Sequence, residues 1–386
     1  MKSRYLYVVT LCALFFCFLI YNQHARVPVH HSQLNRDQKK SRLLKKENHI
    51  SNLCEQVLYR WNLDIPVLLI DLEFLKQLEN ENCKWDEGKP IEIGINEKYK
   101  SVEFPLDGPP SKITFYADDS SKDFLSFDMD EKRIIPRDFD TRRIGNVEIP
   151  VDLERFSEYW KRSKFLKCLG LDMKRSWLDS TILKGPESAM ILARLRDELV
   201  RHGMFANLLG GTLLGWYREC TVIPHTGDLD FSVARDSYNP AYLEKLLSGE
   251  NTDFKLKRSL GELKDSLELT VVEKNARTTK IDIFIMYDGM KDGKLTHSYI
   301  SGLAGDGTKY RFTFPIYDPW CAAEMHGHIF WVTCSPEEQL THEYGPDWNL
   351  DFPTKSYLWN KSGRNIEIPG KYTKEEMKKY YLEYSV

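Results

Sequence analysis

The sequence predicts a mixed α/β (α+β) fold, with a mixed sheet and helices in a larger C-terminal region, a smaller N-terminal α/β region, and a single N-terminal transmembrane helix. Residues 184–204 carry apolar side chains at helical spacing. Residues 205–233 contain short apolar runs broken by glycine, and residues 265–289 form two strand-like runs. Hydrophobic residues make up 42% of the 386-residue chain, which is typical of a globular protein with a core. The expected segments are a cytoplasmic tail (1–4), a membrane anchor (5–21), a stem (22–50), a first region (51–180) and a second region (181–386).

The membrane anchor is predicted from an uncharged apolar run at residues 5–21, near the lower length limit of about 17 residues for a spanning helix. Lys2 and Arg4 precede this run, so the N-terminal tail should stay cytoplasmic. A cleaved signal peptide is the alternative, although no pair of small residues follows the run. We therefore expect a single-pass type II protein whose body lies in the lumen of the Golgi or the endoplasmic reticulum, since a short span suits thin membranes.

Charge is distributed unevenly along the chain. Residues 1–50 contain nine Lys or Arg and two acidic residues, whereas the remainder contains 45 basic and 55 acidic residues. Neutralisation of phosphates supplies most of the affinity for DNA and RNA, so an acidic body excludes nucleic acid as the expected partner.

Cysteine usage fits a secreted compartment but leaves the pairing open. Six cysteines lie outside the apolar run: Cys54, Cys83, Cys168, Cys220, Cys321 and Cys334. Six cysteines allow fifteen complete pairings, and free buried thiols are an equal alternative. Asn360, in Asn-Lys-Ser, is the candidate N-glycosylation site.

Within residues 51–180 the pattern favours, in order, a helix at 52–62, a buried strand at 65–72, a helix at 71–79, and strands at 92–106 and 111–119. No group of chemically active residues stands out there. We expect this region to pack against the second region or to shape access to it.

The second region opens with a strong helix signal. Pro186 and Glu187 suit the first turn and Gly203 marks the end. The apolar residues expected on one side are Met190, Leu192, Leu195 and Leu199. A short buried strand should follow and end at Gly210 and Gly211, with a helix directly after them. The runs at 265–273 and 278–289, separated by "KNAR", predict an antiparallel hairpin.

The stretch "GDLDFSV" carries the first candidate site residues. In a strand alternate residues face the same way, so Asp228, Asp230 and Ser232 would share one face. Two nearby carboxylates repel each other unless a cation lies between them, and Mg²⁺ or Mn²⁺ prefers such oxygens together with substrate phosphates. A solvated turn is the alternative for an isolated Asp-x-Asp.

Two further features favour a site. Asp282 is the lone acid in the apolar run "KIDIFIM", where a buried carboxylate needs a partner. Gly210 and Gly211 stand between a strand and a helix, where backbone N–H groups can approach a phosphate. An exposed edge strand and a tight turn are the respective alternatives. Thr212 either caps the helix or contacts a phosphate.

The run "LLGGTLLGWYRECTVIPHTGDLDFSV" resembles the core of the fukutin and LicD group of the nucleotidyltransferase superfamily. The matching features are the Gly-Gly pair, Arg218 on the helix, the Ile223-Pro224 step, the Asp-x-Asp strand and the later Asp282. The segment "EYGPDWNLDFP" resembles the group's "YG-x-DW…P" segment. The sequence departs from bacterial members at His225-Thr226-Gly227, where those members have further acids.

The resemblance implies a nucleotidyltransferase-like fold and a metal-dependent phosphotransferase. Its donor would be a CDP-alditol such as CDP-ribitol, its acceptor a hydroxyl of a glycoprotein O-glycan, and its product CMP. Asp228, Asp230 and Asp282 would hold Mg²⁺ or Mn²⁺, with Asp282 also a candidate general base. The donor phosphates would contact Gly210, Gly211, Thr212, Arg218 and His225.

Three other functions stay open. A Golgi nucleotide-sugar glycosyltransferase also uses Asp-x-Asp, and a phosphocholine transferase is a variant of the same chemistry. The chain could also be a non-catalytic partner of other glycan-modifying enzymes, although all three acids and both glycines are present.

Overall fold

The computed structural model describes the chain at residues 53–61, 64–80, 83–84, 86, 88–102, 109–175, 181–250, 252–274, 279–316 and 320–385. Two β-sheets with flanking helices fill these residues. The mixed α/β organisation expected from the sequence is therefore what the structure shows.

The first sheet contains seven strands in the order β5-β4-β3-β2-β1-β7-β6. Their bounds are β1 Val67–Leu69, β2 Ile91–Asn96, β3 Ser111–Ala117, β4 Phe124–Asp128, β5 Arg133–Pro136, β6 Thr141–Ile144 and β7 Val147–Pro150. Three helices accompany it, namely α1 Leu53–Tyr59, α2 Leu72–Glu79 and α3 Leu153–Lys161. The side chain of Asp71 accepts a bond from the Phe74 N–H and so caps α2, which explains where that helix begins.

The second sheet contains twelve strands, nine of which follow the order β18-β15-β14-β13-β10-β9-β17-β16-β8. Its strands are β8 Phe165–Leu166, β9 Asn207–Leu208, β10 Asp228–Ala234, β11 Phe254–Leu260, β12 Glu268–Glu273, β13 Lys280–Lys291, β14 Lys294–Leu303, β15 Thr308–Phe314, β16 Trp320–Met325, β17 His328–Thr333, β18 Ile366–Lys371 and β19 Tyr381–Glu383. Strand β12 pairs with β11 and β13, and β19 pairs with β11. The antiparallel β12–β13 pair confirms the predicted hairpin.

Five described helices belong to this second region: α4 Gly185–Arg201, α5 Gly210–Glu219, α6 Pro240–Ser248, α7 Pro336–Tyr344 and α8 Lys374–Tyr380. Helix α4 confirms the strongest helix prediction, with Leu192, Leu195 and Leu199 buried. Met190, which we expected on the same side, is 45% exposed, because it lies away from the face that packs on the sheet. The core beneath α4 and α5 takes its apolar side chains from β10, β12 and β13.

A buried ionic contact joins the two regions. The Arg196 guanidinium of α4 is only 3% exposed and donates to the Asp123 carboxylate and to the Ile329 carbonyl. Asp123 also accepts the Ile329 N–H at 2.8 Å and pairs with His328 at 2.8 Å. Burial acts to raise the pKa of Asp123, but the His328 bond and the Arg196 charge hold that pKa below its ordinary value. The carboxylate therefore stays charged against its buried arginine.

Aromatic packing reinforces this contact. Trp331 of β17 is 1% exposed and is part of the core of the first region. Its ring stacks on Tyr159 at 6.0 Å and meets Phe205 edge-on at 5.3 Å. The first region therefore packs on the second, as the sequence led us to expect.

Truncating this tryptophan should weaken the junction between the regions. We expect Trp331→Ala to lower the free energy of unfolding by about 3 kcal/mol, because the change leaves a large cavity between two cores. Trp359→Ala is the matched control, since Trp359 is 47% exposed. Urea denaturation of both variants checks the expectation, and equal losses in the two would contradict it.

The six cysteines outside the apolar run form three disulfides, so the fully paired alternative is the one adopted. The pairs are Cys54–Cys83, Cys168–Cys220 and Cys321–Cys334. The first joins α1 to the segment after α2, the second joins the segment after β8 to the end of α5, and the third joins β16 to the end of β17.

The predicted anchor at residues 5–21, like the tail and the stem, lies outside the described residues. Among the helices that the structure does describe, none has the length and apolar character needed to cross a membrane. This finding corrects two expectations, the transmembrane helix in the predicted fold class and the single-pass Golgi or endoplasmic reticulum localisation.

Candidate active site

Asp230 and Asp282 lie side by side on adjacent strands. Strands β10 and β13 are parallel neighbours, and their register pairs Asp230 directly with Asp282. Leu229, Phe231 and Ile283 point the other way into the core, as the alternating pattern predicted. Apolar packing on one face of the sheet therefore fixes both carboxylates on the opposite face.

Gly210 and Gly211 form the start of α5 directly against Asp230. A Cβ atom at Gly210 would lie 3.2 Å from the Asp230 Oδ2, and one at Gly211 would lie 3.8 Å from the same oxygen. Gly210 also has φ +52°, a conformation that disfavours other residues. The Leu209 N–H donates to the Asp230 carbonyl at 3.3 Å. This close approach of helix start and carboxylate requires glycine at position 210.

Thr212 fixes the backbone of Asp230. Its hydroxyl accepts the Asp230 N–H at 2.8 Å, and its side chain is 2% exposed. In the described structure this hydroxyl therefore joins the helix to the strand.

Asp282 is held by two side chains from neighbouring strands. The Thr270 hydroxyl of β12 donates to Asp282 Oδ1, and the Arg258 guanidinium of β11 lies 3.5 Å from the same oxygen. Arg258 also donates to Thr270 at 3.0 Å and lies 3.6 Å from the Glu268 carboxylate. Burial raises the pKa of Asp282, whereas the Thr270 bond and the Arg258 charge act to lower it. Asp282 is therefore a buried carboxylate with dedicated partners.

Several acidic side chains surround Asp230 and Asp282. Burial raises the pKa of Asp230 well above its ordinary value, and the charges of Asp228, Asp282 and Glu343 add to the effect. Burial likewise raises the pKa of Glu268 to about 8, with further contributions from Asp282 and Asp228. Asp228, at the exposed end of β10, lies closest to solvent of the three predicted ligands. Such a cluster of acids is stabilised by a cation and strained without one.

Glu343, Tyr344 and Tyr357 border the site from the C-terminal side. The Tyr344 and Tyr357 rings lie 5.6 Å apart. Burial raises the pKa of both tyrosines, and the charges of Glu343 and Asp230 contribute to each shift. Burial also raises the pKa of Glu343 to about 7. The end of α7 therefore lies near enough to Asp230 for the charge of Glu343 to act on that carboxylate.

The raised pKa of Glu343 predicts that the stability of the protein depends on pH. The ordinary pKa is 4.5 and the pKa in the folded protein is about 7. The stability that Glu343 contributes is therefore fully present below pH 4.5 and is lost as the pH rises through 7. Glu343→Gln should therefore raise the free energy of unfolding at pH 8 by about 3 kcal/mol, at 1.36 kcal/mol per pKa unit. At pH 4 the gain should disappear. Urea denaturation at both pH values checks this, with the exposed Glu338→Gln as control; a gain independent of pH would contradict it.

Arg218 and His225 both contact residues 350–354, near the C-terminal end of the chain. The Arg218 guanidinium, 2% exposed, contacts Glu219, Asp351 and the Leu350 carbonyl. Arg175 completes this network through paired bonds to Glu219 and Asp351.

His225 joins the same segment, with its Nδ1 2.6 Å from the Thr354 hydroxyl and its Nε2 3.5 Å from Asp351. Arg218 and His225, two of the predicted donor-binding residues, thus anchor residues 350–354, which lead to Tyr357. Trp348 packs beside Tyr217 at 5.5 Å. The candidate glycosylation residue Asn360 lies further along this segment, half-buried, and its amide donates to the Tyr310 hydroxyl at 3.2 Å.

The negative charge of these carboxylates suits a hard cation, but the described side chains do not form a complete metal site by themselves. In the described part of the chain, no three His, Cys, Asp or Glu side chains are arranged to hold a metal ion. Mg²⁺, however, is commonly held by one or two carboxylates together with substrate phosphates and waters. The acid cluster around Asp230 is a donor set of that kind.

The residues of the site that the sequence did not predict include Arg258, Glu268, Thr270 and Glu343. Glu268 and Thr270 alternate on β12 within an apolar run, which is the signal that identified Asp282. Arg258 had no such signal, because its role arises from strand pairing between β11 and β12. Glu343 stood within the quoted C-terminal segment but next to the more conspicuous Tyr344.

Two protein families match separate parts of the chain. A family described as "W02B3.4-like, N-terminal domain" matches residues 53–167, and a family described as "LicD/FKTN/FKRP, nucleotidyltransferase domain" matches residues 203–332. The second match contains Gly210, Asp228, Asp230 and Asp282.

Individual relatives cover either most of this chain or a little over half of it. The uncharacterized protein W02B3.4 of Caenorhabditis elegans is 45% identical over 85% of this chain and 84% of its own length. Protein T07A5.1 of the same organism is 38% identical over 85% and 86%. The human ribitol-5-phosphate transferase FKTN is 28% identical over 58% of this chain, a match that spans about half, 48%, of the human protein.

Proposed function

Because the chain belongs to the LicD/FKTN/FKRP family as a fukutin-like member, we propose that it is a metal-dependent phosphotransferase that moves an alditol phosphate from a CDP-alditol to a glycan hydroxyl. The observation that carries the proposal is the register of Asp230 with Asp282 beside the glycines that begin α5. The proposed donor is CDP-ribitol, the acceptor a hydroxyl of a glycoprotein O-glycan, and the released product CMP.

The start of α5 would receive the donor phosphates. A helix N-terminus presents unpaired N–H groups and a partial positive charge, both of which favour anions. Gly210 and Gly211 carry no side chain between this helix start and Asp230, so an oxygen of the pyrophosphate could approach their N–H groups.

A divalent cation, Mg²⁺ or Mn²⁺, would be held by Asp228, Asp230 and Asp282 together with the donor. When bound, it would supply charge neutralisation on the pyrophosphate and on the leaving CMP. The repulsion that raises the pKa of Asp230 supports this assignment, because a cation relieves it.

Asp282 would accept the proton of the acceptor hydroxyl. A general base is most effective when its pKa lies near the working pH, and burial raises the pKa of Asp282 in that direction. Thr270 and Arg258 hold its carboxylate in one orientation. The attacking oxygen then displaces CMP from phosphorus, and the new phosphodiester keeps the alditol.

Arg218 and His225 would support the reaction indirectly in this account. Their bonds to residues 350–354 hold the segment that brings Tyr357 near Asp230. They are positioning residues for the donor site.

Product analysis tests the proposed function. The purified full chain is incubated with CDP-ribitol, Mg²⁺ or Mn²⁺, and a panel of phosphorylated and neutral glycan acceptors, and the products are followed by mass spectrometry. We expect an acceptor that gains one ribitol phosphate, with no product after EDTA treatment. Parallel reactions with nucleotide sugars test the glycosyltransferase alternative, and reactions with CDP-choline test the phosphocholine transferase alternative.

Transfer of a plain sugar, or of phosphocholine in place of ribitol phosphate, would contradict the proposed donor. Absence of any product with every donor and acceptor would favour the non-catalytic partner.

A further inference from the structure

Lys280 lies at the start of strand β13, in register with the first of the predicted metal ligands. The parallel pairing of β10 and β13 sets Lys280 opposite Asp228, two residues before the pair Asp230 and Asp282. Paired residues on neighbouring strands, and residues two apart along one strand, share a face of the sheet. Lys280 therefore belongs to the same face as the three carboxylates, and it is exposed to solvent there, as Asp228 is.

Strand spacing puts the ammonium group within reach of a ligand held at the carboxylates. Neighbouring strands lie about 4.8 Å apart, and two residues along a strand span about 6.6 Å, so the Lys280 Cα lies about 5 Å from that of Asp228 and about 7 Å from that of Asp282. On its other side, β12 sets the buried Val272 opposite Lys280. The polar neighbour that this strand pairing offers Lys280 is therefore on the side of Asp228.

Three cations already described for this region have protein partners. Arg258 is held by a threonine hydroxyl and two carboxylates. Arg218 and His225 contact residues 350–354. In contrast, no hydrogen bond or ion pair links the Lys280 Nζ to another residue in the described part of the chain. The N–H bonds of this ammonium group are thus available to a ligand.

The charge of the proposed complex requires a further cation. The carboxylates of Asp228, Asp230 and Asp282 are ionised when they hold a metal ion, and the donor's pyrophosphate adds more negative charge. One divalent cation leaves part of this charge uncompensated, and like charges a few ångströms apart repel each other. An ammonium group is a compact positive charge that proteins commonly use to bind phosphate. Lys280 supplies that charge on the side of the carboxylates that is open to solvent.

We propose that the Lys280 ammonium binds the pyrophosphate of the donor and stabilises the charge that develops on the leaving CMP. The proposal rests on the proposed function, because it adds a donor-binding residue to the same site. Lys280 stays protonated throughout, so the bonds made and broken are those already given for the transfer. It touches the donor directly, whereas Arg218 and His225 hold a protein segment that borders the site.

Calorimetric titration of the full chain with CDP, in the presence of Mg²⁺, tests this assignment. We expect Lys280→Gln to weaken CDP binding about tenfold, the equivalent of one lost charge-assisted hydrogen bond. Lys280→Arg should bind CDP within about threefold of the wild-type chain, because it keeps the positive charge. Lys291→Gln is the matched control, since Lys291 is exposed at the other end of β13 and should leave the affinity unchanged.

Binding of Mn²⁺ without nucleotide distinguishes a phosphate contact from an effect on the metal site. A lysine that contacts the phosphate does not help the carboxylates to hold the ion. Lys280→Gln should therefore bind Mn²⁺ at least as tightly as the wild-type chain, measured by electron paramagnetic resonance. Because Lys280 is exposed, the change should also shift the thermal unfolding midpoint by about 2 °C or less.

Three outcomes would overturn the assignment of Lys280. They are an unchanged CDP affinity in Lys280→Gln, equal weakening by Lys280→Gln and Lys291→Gln, or a loss of Mn²⁺ affinity as large as the loss of CDP affinity.

Failure of the proposed function gives a different result. If the wild-type chain binds CDP with the expected dependence on Lys280 but transfers no alditol phosphate, the proposed function fails and Lys280 remains a nucleotide-binding residue. If the wild-type chain transfers ribitol phosphate and Lys280→Gln binds CDP equally well, the assignment of Lys280 fails alone. A wild-type chain that does not bind CDP overturns both.

Discussion

Asp230→Asn is expected to lower the rate of transfer about 10³-fold while leaving the fold intact. Charge stabilisation at such a site is worth several kcal/mol, and each 1.36 kcal/mol is a factor of ten in rate. The same change should stabilise the protein at pH 8, because burial and the charges of Asp228, Asp282 and Glu343 raise the pKa of Asp230. That gain should vanish below the ordinary value of 3.8, where the aspartate is protonated in the folded and unfolded chains alike.

Two measurements check this expectation: the rate at saturating CDP-ribitol, and urea denaturation at pH 8. Asp288→Asn is the matched control, since Asp288 is an exposed aspartate on the same strand as Asp282. A variant with normal activity would show that Asp230 takes no part in the chemistry. Lower activity accompanied by lower stability would indicate a structural role.

Arg218→Met is expected to lower the free energy of unfolding by about 4 kcal/mol, the usual result of removing one partner from a buried ion pair. Glu219 and Asp351, both 7% exposed, would keep Arg175 as the remaining arginine that balances their charges. Arg218→Lys should not restore stability fully, because a single ammonium cannot reproduce contacts to a carboxylate pair and a carbonyl at once. Chemical denaturation of the wild-type chain, Arg218→Met and Arg218→Lys measures the three free energies of unfolding.

The exposed Arg201→Met serves as control and should change stability by about 0.5 kcal/mol or less. The folded fraction of Arg218→Met should bind CDP with near wild-type affinity in the cold. A stable Arg218→Met protein with lost CDP affinity would contradict the positioning role and favour direct contact with a phosphate.

Elements with strong local patterns could be predicted from the sequence. Leu192, Leu195 and Leu199 repeat at helical spacing, and the Asp228–Asp230 strand alternates with buried apolar residues, so local periodicity alone identifies α4 and β10. The lone Asp282 in an apolar strand was a sufficient signal because a buried charge needs a partner.

Features that depend on long-range pairing could not be predicted in the same way. Arg258 reaches Asp282 only because β11 pairs with β12, and the Cys168–Cys220 disulfide joins residues 52 positions apart. Arg218 illustrates the opposite case, in which the family resemblance implied a phosphate contact. Its partners Asp351 and Leu350 lie more than a hundred residues away and change that interpretation. The apolar run at residues 5–21 suggested a membrane anchor from composition alone. None of the helices that the structure describes is long and apolar enough to cross a membrane.

The most direct test of the central claim is CMP release from CDP-ribitol, measured by ³¹P NMR with a glycan acceptor and Mn²⁺ present. We expect the two coupled pyrophosphate resonances to be replaced by one CMP resonance and one phosphodiester resonance with the wild-type chain. Asp230→Asn should leave the pyrophosphate intact, and so should EDTA. Release of CMP at the wild-type rate by Asp230→Asn, or in EDTA, would contradict a metal-dependent phosphotransfer site built on these carboxylates.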